Sequence, residues 1–148
     1  MSLVERGQMY YLCTLECLKD QYWDLFFVLF INDMHKGVSH DTSIALYAND
    51  TKIWREITCD EDQVILQNDI NNLYKWSVEN KMNFHPSKCK VLAVTNKRLT
   101  YSLPFYEFIY MLNGSPLDYA ESEKDLGVII NGKLNWSAHC RNSLQMVP

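Results

Sequence analysis

The sequence predicts an α+β fold in which helices pack on one face of an antiparallel sheet. Three observations indicate this class: a long amphipathic helix pattern near the middle of the chain, several short strand patterns, and tight-turn residues between them. The chain has 148 residues, of which 47% are hydrophobic, 13% aromatic and 22% charged. That balance is typical of a globular domain and excludes a disordered or collagen-like chain.

The N-terminal quarter is predicted to be helical over residues 8–36. Leu12, Leu15 and Leu18 recur at helical spacing, and a second apolar stretch follows from Asp24. The longest apolar run, residues 25–31, is far shorter than the roughly 18 residues of a membrane span. We therefore expect no membrane partner. Since no secretory signal is visible either, the expected location is intracellular, cytoplasmic or nuclear.

A hairpin with a polar tip is predicted next. Residues 43–47 and 51–54 have strand composition, and residues 48–50 (Ala-Asn-Asp) have the composition of a tight turn. A hairpin tip that presents adjacent carboxylates can bind Mg²⁺, which prefers oxygen ligands. Asp50 is the candidate ligand, although most single loop aspartates are only turn formers.

The clearest helix is predicted over residues 60–82, with Asp60 as its N-cap. Its apolar face contains Leu66, Ile70, Leu73 and either Trp76 or Ser77. The later elements are short strands, turns and one terminal helix; they are predicted at residues 89–95 (strand), 105–112 (strand), 113–114 (turn), 126–130 (strand), 131–132 (turn) and 136–146 (helix).

Charge and cysteine content restrict the function further. The net charge is −4, which argues mildly against strong nucleic-acid binding by this chain alone, because neutralising phosphates drives that affinity. The five cysteines are odd in number and form no CxxC pair, so a disulfide framework or zinc site is disfavoured and reduced thiols are expected.

Four ordered motifs resemble the palm of reverse transcriptases from non-LTR, LINE-like retrotransposons. The motifs are residues 30–34 (FINDM), 44–52 (IALYANDTK), 85–92 (HPSKCKVL) and 126–128 (LGV), the last followed by residues 134–136 and His139. In the family they correspond to the helical segment before the catalytic hairpin, the hairpin itself, a lysine motif near the incoming nucleotide, and the hairpin that grips the primer.

This resemblance implies a truncated palm over residues 25–148, including the start of a thumb. Residues 1–24 are expected to be unrelated to it or poorly ordered. The family's activity is RNA-directed DNA polymerisation on an RNA template and a DNA primer, with Mg²⁺ bound by two hairpin aspartates and a third carboxylate on an earlier strand. The resemblance places Asp50 at the second hairpin aspartate, Lys88 near the nucleotide, and Leu126 and Gly127 at the primer.

The chain departs from the family at two places. Asn49 stands where the first hairpin aspartate belongs, which removes one negative charge from a site that depends on electrostatic stabilisation. No upstream acid, Glu16 among them, lies in a strand-like context that matches the first catalytic strand, and the fingers are missing. We therefore expect an inactive remnant, a pseudoenzyme, with no productively bound Mg²⁺. The alternative is a non-catalytic module that binds nucleic acid or protein through the palm surface.

Overall fold

The structure is a computed structural model that describes residues 9–16, 33–47, 50–95, 108–125 and 128–132. The strands are β1 (Met9–Glu16), β2 (Ser43–Tyr47), β3 (Asp50–Ile57), β4 (Lys90–Thr95), β5 (Met111–Leu112), β6 (Ser115–Pro116), β7 (Asp118–Tyr119), β8 (Ser122–Asp125) and β9 (Val128–Asn131). The helices are α1 (Asp60–Glu79) and two short 3-10 turns, Met34–Gly37 and Pro86–Lys88. This mixture of helix and antiparallel sheet confirms the α+β class.

Five of the described strands form one sheet in the order β2-β3-β1-β4-β7. β1 pairs antiparallel with both β3 and β4, and the pairing of β4 with the short β7 is parallel. Two small hairpins, β5–β6 and β8–β9, lie outside this sheet.

The helix predicted over residues 8–36 is wrong for residues 9–16, which form β1 in the middle of the described sheet. This stretch, MYYLCTLE, is rich in residues that suit strands, and its pairing partners lie far away in the chain. Residues 34–37 form a 3-10 turn instead of the end of an α-helix. The remainder of the predicted helix lies outside the described residues, and the predicted domain boundary at residue 24 stays a prediction.

The predicted central helix is confirmed over most of its length. α1 buries Leu66, Ile70, Leu73 and Ser77 at three- and four-residue spacing. It ends at Glu79, three residues earlier than predicted, because Lys81 adopts a left-handed φ of 57°. The N–H of Met82 then donates to the carbonyl of Ser77 and that of Lys81 to Val78, which is the Schellman termination of a helix.

The hydrophobic core lies between α1 and one face of the sheet. Along β3 every second residue is buried, so Thr51, Ile53, Arg55 and Ile57 share that face. The remaining core residues come from the helix, β4 and the segment after it; they include Leu66, Ile70, Leu73, Val91, Tyr110, Leu112 and Leu117. The predicted placement of a helix on one face of the sheet is confirmed for α1.

The turn predicted at Asn113 and Gly114 is confirmed. Both residues have positive φ, 50° and 74°, and they connect β5 directly to β6, as a type I′ hairpin requires. Within the described residues, no helix is both long and apolar enough to cross a membrane.

Candidate functional site

The hairpin of β2 and β3 is the centre of the candidate site. Tyr47 pairs with Asp50, so residues 48–49 form a two-residue connection. Asp50 is therefore the first residue of β3 and not part of the turn as predicted. It is half-buried and makes an interaction within the protein. Asn49, the other hairpin position, lies outside the described residues.

Glu16 lies opposite Asp50 across the β1–β3 ladder. Glu16 is the last residue of β1, so it does lie in a strand, and its match to the family's first catalytic strand stays a prediction. Directly opposed residues in an antiparallel pair have Cα atoms about 4.5–5.5 Å apart and lie on the same face of the sheet. Two acidic residues on adjacent strands thus occupy neighbouring positions at the hairpin tip.

Lys88 approaches the same edge of the sheet. Because β3 and β4 both run antiparallel to β1, they are parallel to each other and start at the same edge. Lys88 is exposed in the 3-10 turn that immediately precedes β4, and it makes an interaction within the protein. The topology therefore brings Asp50, Glu16 and Lys88 to one edge, although the sequence separates them widely.

A second row of residues runs across the sheet next to this edge. Thr14 lies opposite both Lys52 of β3 and Lys90 of β4. Ile53 and Val91, the next residues on the two strands, are fully buried on the α1 side, so both lysines lie on the opposite face. Trp54 follows Lys52 by two residues and shares that face.

The other end of β3 carries an ion pair that the sequence analysis missed. Arg55 and Asp62 are largely buried, with 8% and 14% of their side chains exposed, and Arg55 Nη2 lies 2.9 Å from Asp62 Oδ1. Arg55 Nε donates to the same oxygen, and Nη1 donates to Thr42 Oγ1 at 3.2 Å. The guanidinium is therefore held by both α1 and the segment that leads into β2.

The same carboxylate caps α1. Its Oδ2 accepts hydrogen bonds from Thr58 N (3.0 Å), Thr58 Oγ1 (2.8 Å) and Cys59 N (3.3 Å). The N-cap is Cys59, so the prediction of Asp60 is off by one residue. Burial raises the pKa of Asp62, but the hydrogen bonds from Thr58, Arg55 and Cys59 outweigh it and hold that pKa well below its ordinary value. An acid three residues after a cap was the sequence signal for this role.

Leu126 and Gly127, the predicted primer contacts, lie outside the described residues. Asp125 pairs with Val128, so the two residues connect β8 to β9. The strand predicted over residues 126–130 is found as Val128–Asn131.

A Cβ on Gly132, just after β9, would lie 2.5 Å from the carbonyl oxygen of Ala93, so glycine permits this hairpin to approach β4.

The described side chains do not assemble a metal centre. Among them, no group of three histidines, cysteines or carboxylates is close enough to hold an ion. Asp50 supplies one carboxylate at the hairpin tip, which is less than the ligand set of a two-metal site. Of the cysteines whose side chains are described, Cys59 is exposed and Cys89 is buried.

Comparison of the chain with family models, with curated proteins and with solved structures gave no match.

Proposed function

We propose that this chain is a palm fragment of a reverse transcriptase of non-LTR retrotransposon origin that no longer catalyses polymerisation. The observation that supports the proposal best is the position of β1, and in this proposal residues 9–16 belong to the palm sheet and not to the unrelated segment expected over residues 1–24. The family's third carboxylate lies on a strand that precedes the hairpin, and here an earlier strand pairs with β3 and has Glu16 opposite Asp50.

The position of Lys88 adds to this support. The resemblance assigns it to the neighbourhood of the incoming nucleotide, and the nucleotide's phosphates must lie near the carboxylates that bind the metal ions. The strand order β3-β1-β4 brings the turn that contains Lys88 to the edge where Asp50 lies. RNA template and DNA primer are the partners that this assignment implies.

The loss of catalysis follows from the charge of the hairpin. An amide oxygen at Asn49 can contact a hard cation, but it does not neutralise the cation's charge. Phosphoryl transfer depends on metal ions and charged groups placed around the transferring phosphate. With one carboxylate replaced by a neutral amide, we expect no polymerisation.

The experiment is primer extension on an RNA template in Mg²⁺ or Mn²⁺, with the parent chain, Asn49→Asp, Asp50→Ala and the double variant Asn49→Asp/Asp50→Ala. We expect no extension by the parent. Slow extension by Asn49→Asp that disappears in Asn49→Asp/Asp50→Ala would identify the hairpin as a former catalytic site.

Two outcomes oppose the proposal in different ways. Extension by the parent that is lost in Asp50→Ala would mean that the site is active, and the claim of lost catalysis would be wrong. If the folded Asn49→Asp variant neither extends the primer nor binds the template–primer duplex, the assignment to this family loses its functional support.

A further inference from the structure

We propose that Asn113 is a site of spontaneous deamidation, at which the Asn113–Gly114 peptide forms a cyclic succinimide and then isoaspartate. The inference is independent of the proposed function, because it depends only on the geometry of the β5–β6 hairpin. Asparagine is among the chemically labile residues of proteins. The chain contains two Asn-Gly pairs, Asn113–Gly114 and Asn131–Gly132, and the structure indicates which of them reacts.

The reaction needs a nucleophile, a leaving group and water. The backbone nitrogen of Gly114 loses its proton and attacks Cγ of Asn113. The new C–N bond closes the succinimide ring, and the side-chain amide leaves as ammonia. Water then opens the ring at either of its carbonyl groups. One opening gives aspartate, and the other gives isoaspartate, whose main chain is longer by one carbon atom. No group is oxidised or reduced.

Gly114 leaves the space that the ring requires. Asn113 and Gly114 are both exposed at the end of the hairpin. A Cβ on Gly114 would meet no described atom within 4 Å beyond those of the adjacent residues. The attacking nitrogen is therefore not crowded by a side chain or by a neighbouring segment in the described part of the chain.

The turn can also reach the geometry of attack. Among the described residues, the N–H of Gly114 donates no backbone hydrogen bond. The hairpin has two residues in each strand and lies outside the five-stranded sheet. Rotation of the peptide between Asn113 and Gly114 thus breaks few contacts, and such local opening requires little free energy.

The second Asn-Gly pair is held far more firmly. Asn131 is the last residue of β9, where it pairs with Ser122 and makes a further interaction. Gly132 N donates to the carbonyl of Glu121 at 3.4 Å, and a Cβ on Gly132 would lie 2.5 Å from the carbonyl oxygen of Ala93. Ring closure there requires the end of β9 to leave its neighbours. Two pairs that are identical in sequence therefore react at different rates in the folded chain.

Conversion at Asn113 loosens the hairpin from α1. Gln67 of α1 binds the main chain of Met111 twice: Met111 N donates to Oε1 at 2.7 Å, and Nε2 donates to Met111 O at 2.8 Å. These bonds require β5 to stay in place. The longer main chain of isoaspartate does not fit a two-residue turn with two successive positive φ values. The new carboxylate also adds a negative charge to a chain of net charge −4.

The first test is incubation of the full chain at physiological temperature and pH, followed by trypsin digestion and mass spectrometry. Cleavage after Lys and Arg gives peptides 99–124 and 125–133, which contain Asn113 and Asn131 as their only asparagines. A gain in mass of about one dalton in either peptide thus reports one site. We expect conversion at Asn113 to be at least about tenfold faster in the folded chain. In urea the two rates should become similar.

Isoaspartate itself is detected with protein isoaspartyl methyltransferase, which methylates the isoaspartyl carboxylate with S-adenosylmethionine. Asn113→Gln should remove most of the methyl acceptance of the incubated chain, because glutamine must close a larger and slower ring. Asn131→Gln is the matched control and should retain the acceptance. Circular dichroism melts confirm that both variants are folded.

Hydrogen exchange tests the loosening of the hairpin. The amide of Met111 should exchange faster in the incubated chain than in the fresh one. Freshly purified Asn113→Asp adds the same charge without lengthening the main chain, and Asp-Gly also suits this turn. Its Met111 amide should therefore exchange as in the fresh parent.

Three results would contradict the inference. Equal conversion of the two sites in the folded chain would mean that the local structure does not select Asn113. Absence of conversion at Asn113 in the folded chain, under conditions in which the chain in urea converts, would exclude the modification of the native hairpin. Conversion with unchanged exchange at Met111 would overturn the loosening and leave the modification site in place.

Discussion

Charged residues lie at both ends of β3, but their surroundings differ. At the end near α1, Arg55 is enclosed by hydrogen bonds to Asp62 and Thr42, and the carboxylate of Asp62 is used again to cap the helix. At the hairpin end, Asp50 is half-buried and lies opposite Glu16, a second acidic residue. One end brings opposite charges into contact, and at the other end the strand register puts two acidic residues opposite each other.

This difference separates an arrangement that stabilises the fold from the arrangement at the proposed site. A buried ion pair with its hydrogen bonds completed within the fold holds β3, α1 and the segment before β2 in place. Like charges directly opposite each other on adjacent strands weaken the pairing, although Asp50 also makes an interaction within the protein. A bound cation or another positively charged partner would offset the repulsion between two such acidic residues.

The largest effect is expected at the Arg55 end. Arg55→Leu leaves Asp62 without its cation, although Thr58 and Cys59 still donate to it. We expect a loss of about 3 kcal/mol in the free energy of unfolding, because removing one partner of a buried pair leaves an uncompensated charge. Urea denaturation measures it, and a loss below about 0.5 kcal/mol would show that the ion pair does not hold the sheet to the helix.

A smaller effect is expected at Asp69, a buried residue of α1. Its side chain is fully buried, and Oδ1 accepts hydrogen bonds from Ser39 N at 2.9 Å and Ser39 Oγ at 2.7 Å. Asp69→Ala leaves these donors unsatisfied and should cost about 2 kcal/mol.

Asp69→Asn is the matched control for that substitution. It keeps an acceptor oxygen for Ser39 and removes a charge whose Oδ2 has no hydrogen-bond partner within the described residues. The cost should therefore fall below about 1 kcal/mol. Equal losses in the two variants would contradict the role of Asp69 as an acceptor for the segment that leads into β2.

Acid titration gives a third prediction. The folded-state pKa of Asp62 lies below its ordinary value, so its contribution to stability is complete above about pH 4 and is lost as the pH falls through the folded-state pKa. The free energy of unfolding should thus decline on acidification. Asp62→Asn should lower the free energy of unfolding by about 1.5 kcal/mol at neutral pH and should make its decline below about pH 4 less steep. If the decline is as steep in Asp62→Asn as in the parent, other carboxylates cause it.

The smallest effect is expected at the hairpin end. Asp50→Asn removes one of two like charges on neighbouring strands and should change the free energy of unfolding by less than about 0.5 kcal/mol in either direction. Thermal unfolding of Asp50→Asn and Arg55→Leu under the same conditions compares the two changes in stability. A large loss at Asp50 would mean that this end, too, is stabilised by its charge.

Local patterns in the sequence were enough for several elements. α1 was predicted because its apolar spacing and its acidic first turn are both contained in one stretch of chain. The turn at Asn113 and Gly114 was predicted because few residue pairs adopt two successive positive φ values. The hairpin of β2 and β3 was predicted for the same local reasons, with an error of one residue at Asp50.

Non-local pairing explains what was missed. Leu12, Leu15 and Leu18 fit a helix when read alone, and only the partners of residues 9–16 in β3 and β4 determine the strand. The opposition of Glu16 and Asp50 is a property of register, which no local pattern contains. The Arg55–Asp62 pair likewise requires knowledge of how α1 turns back on β3.

The position of β1 also has consequences for folding kinetics. The first described strand is inserted between β3 and β4, and Met9 pairs with Thr95 far along the chain. Contacts of such high sequence separation slow folding, because the loop-closure entropy is lost before the contact forms. Until β1 is inserted, the facing edges of β3 and β4 stay open to strands of other molecules. Aggregation during refolding should therefore compete mainly with this single docking step, and a peptide of residues 9–16 added in trans should suppress it.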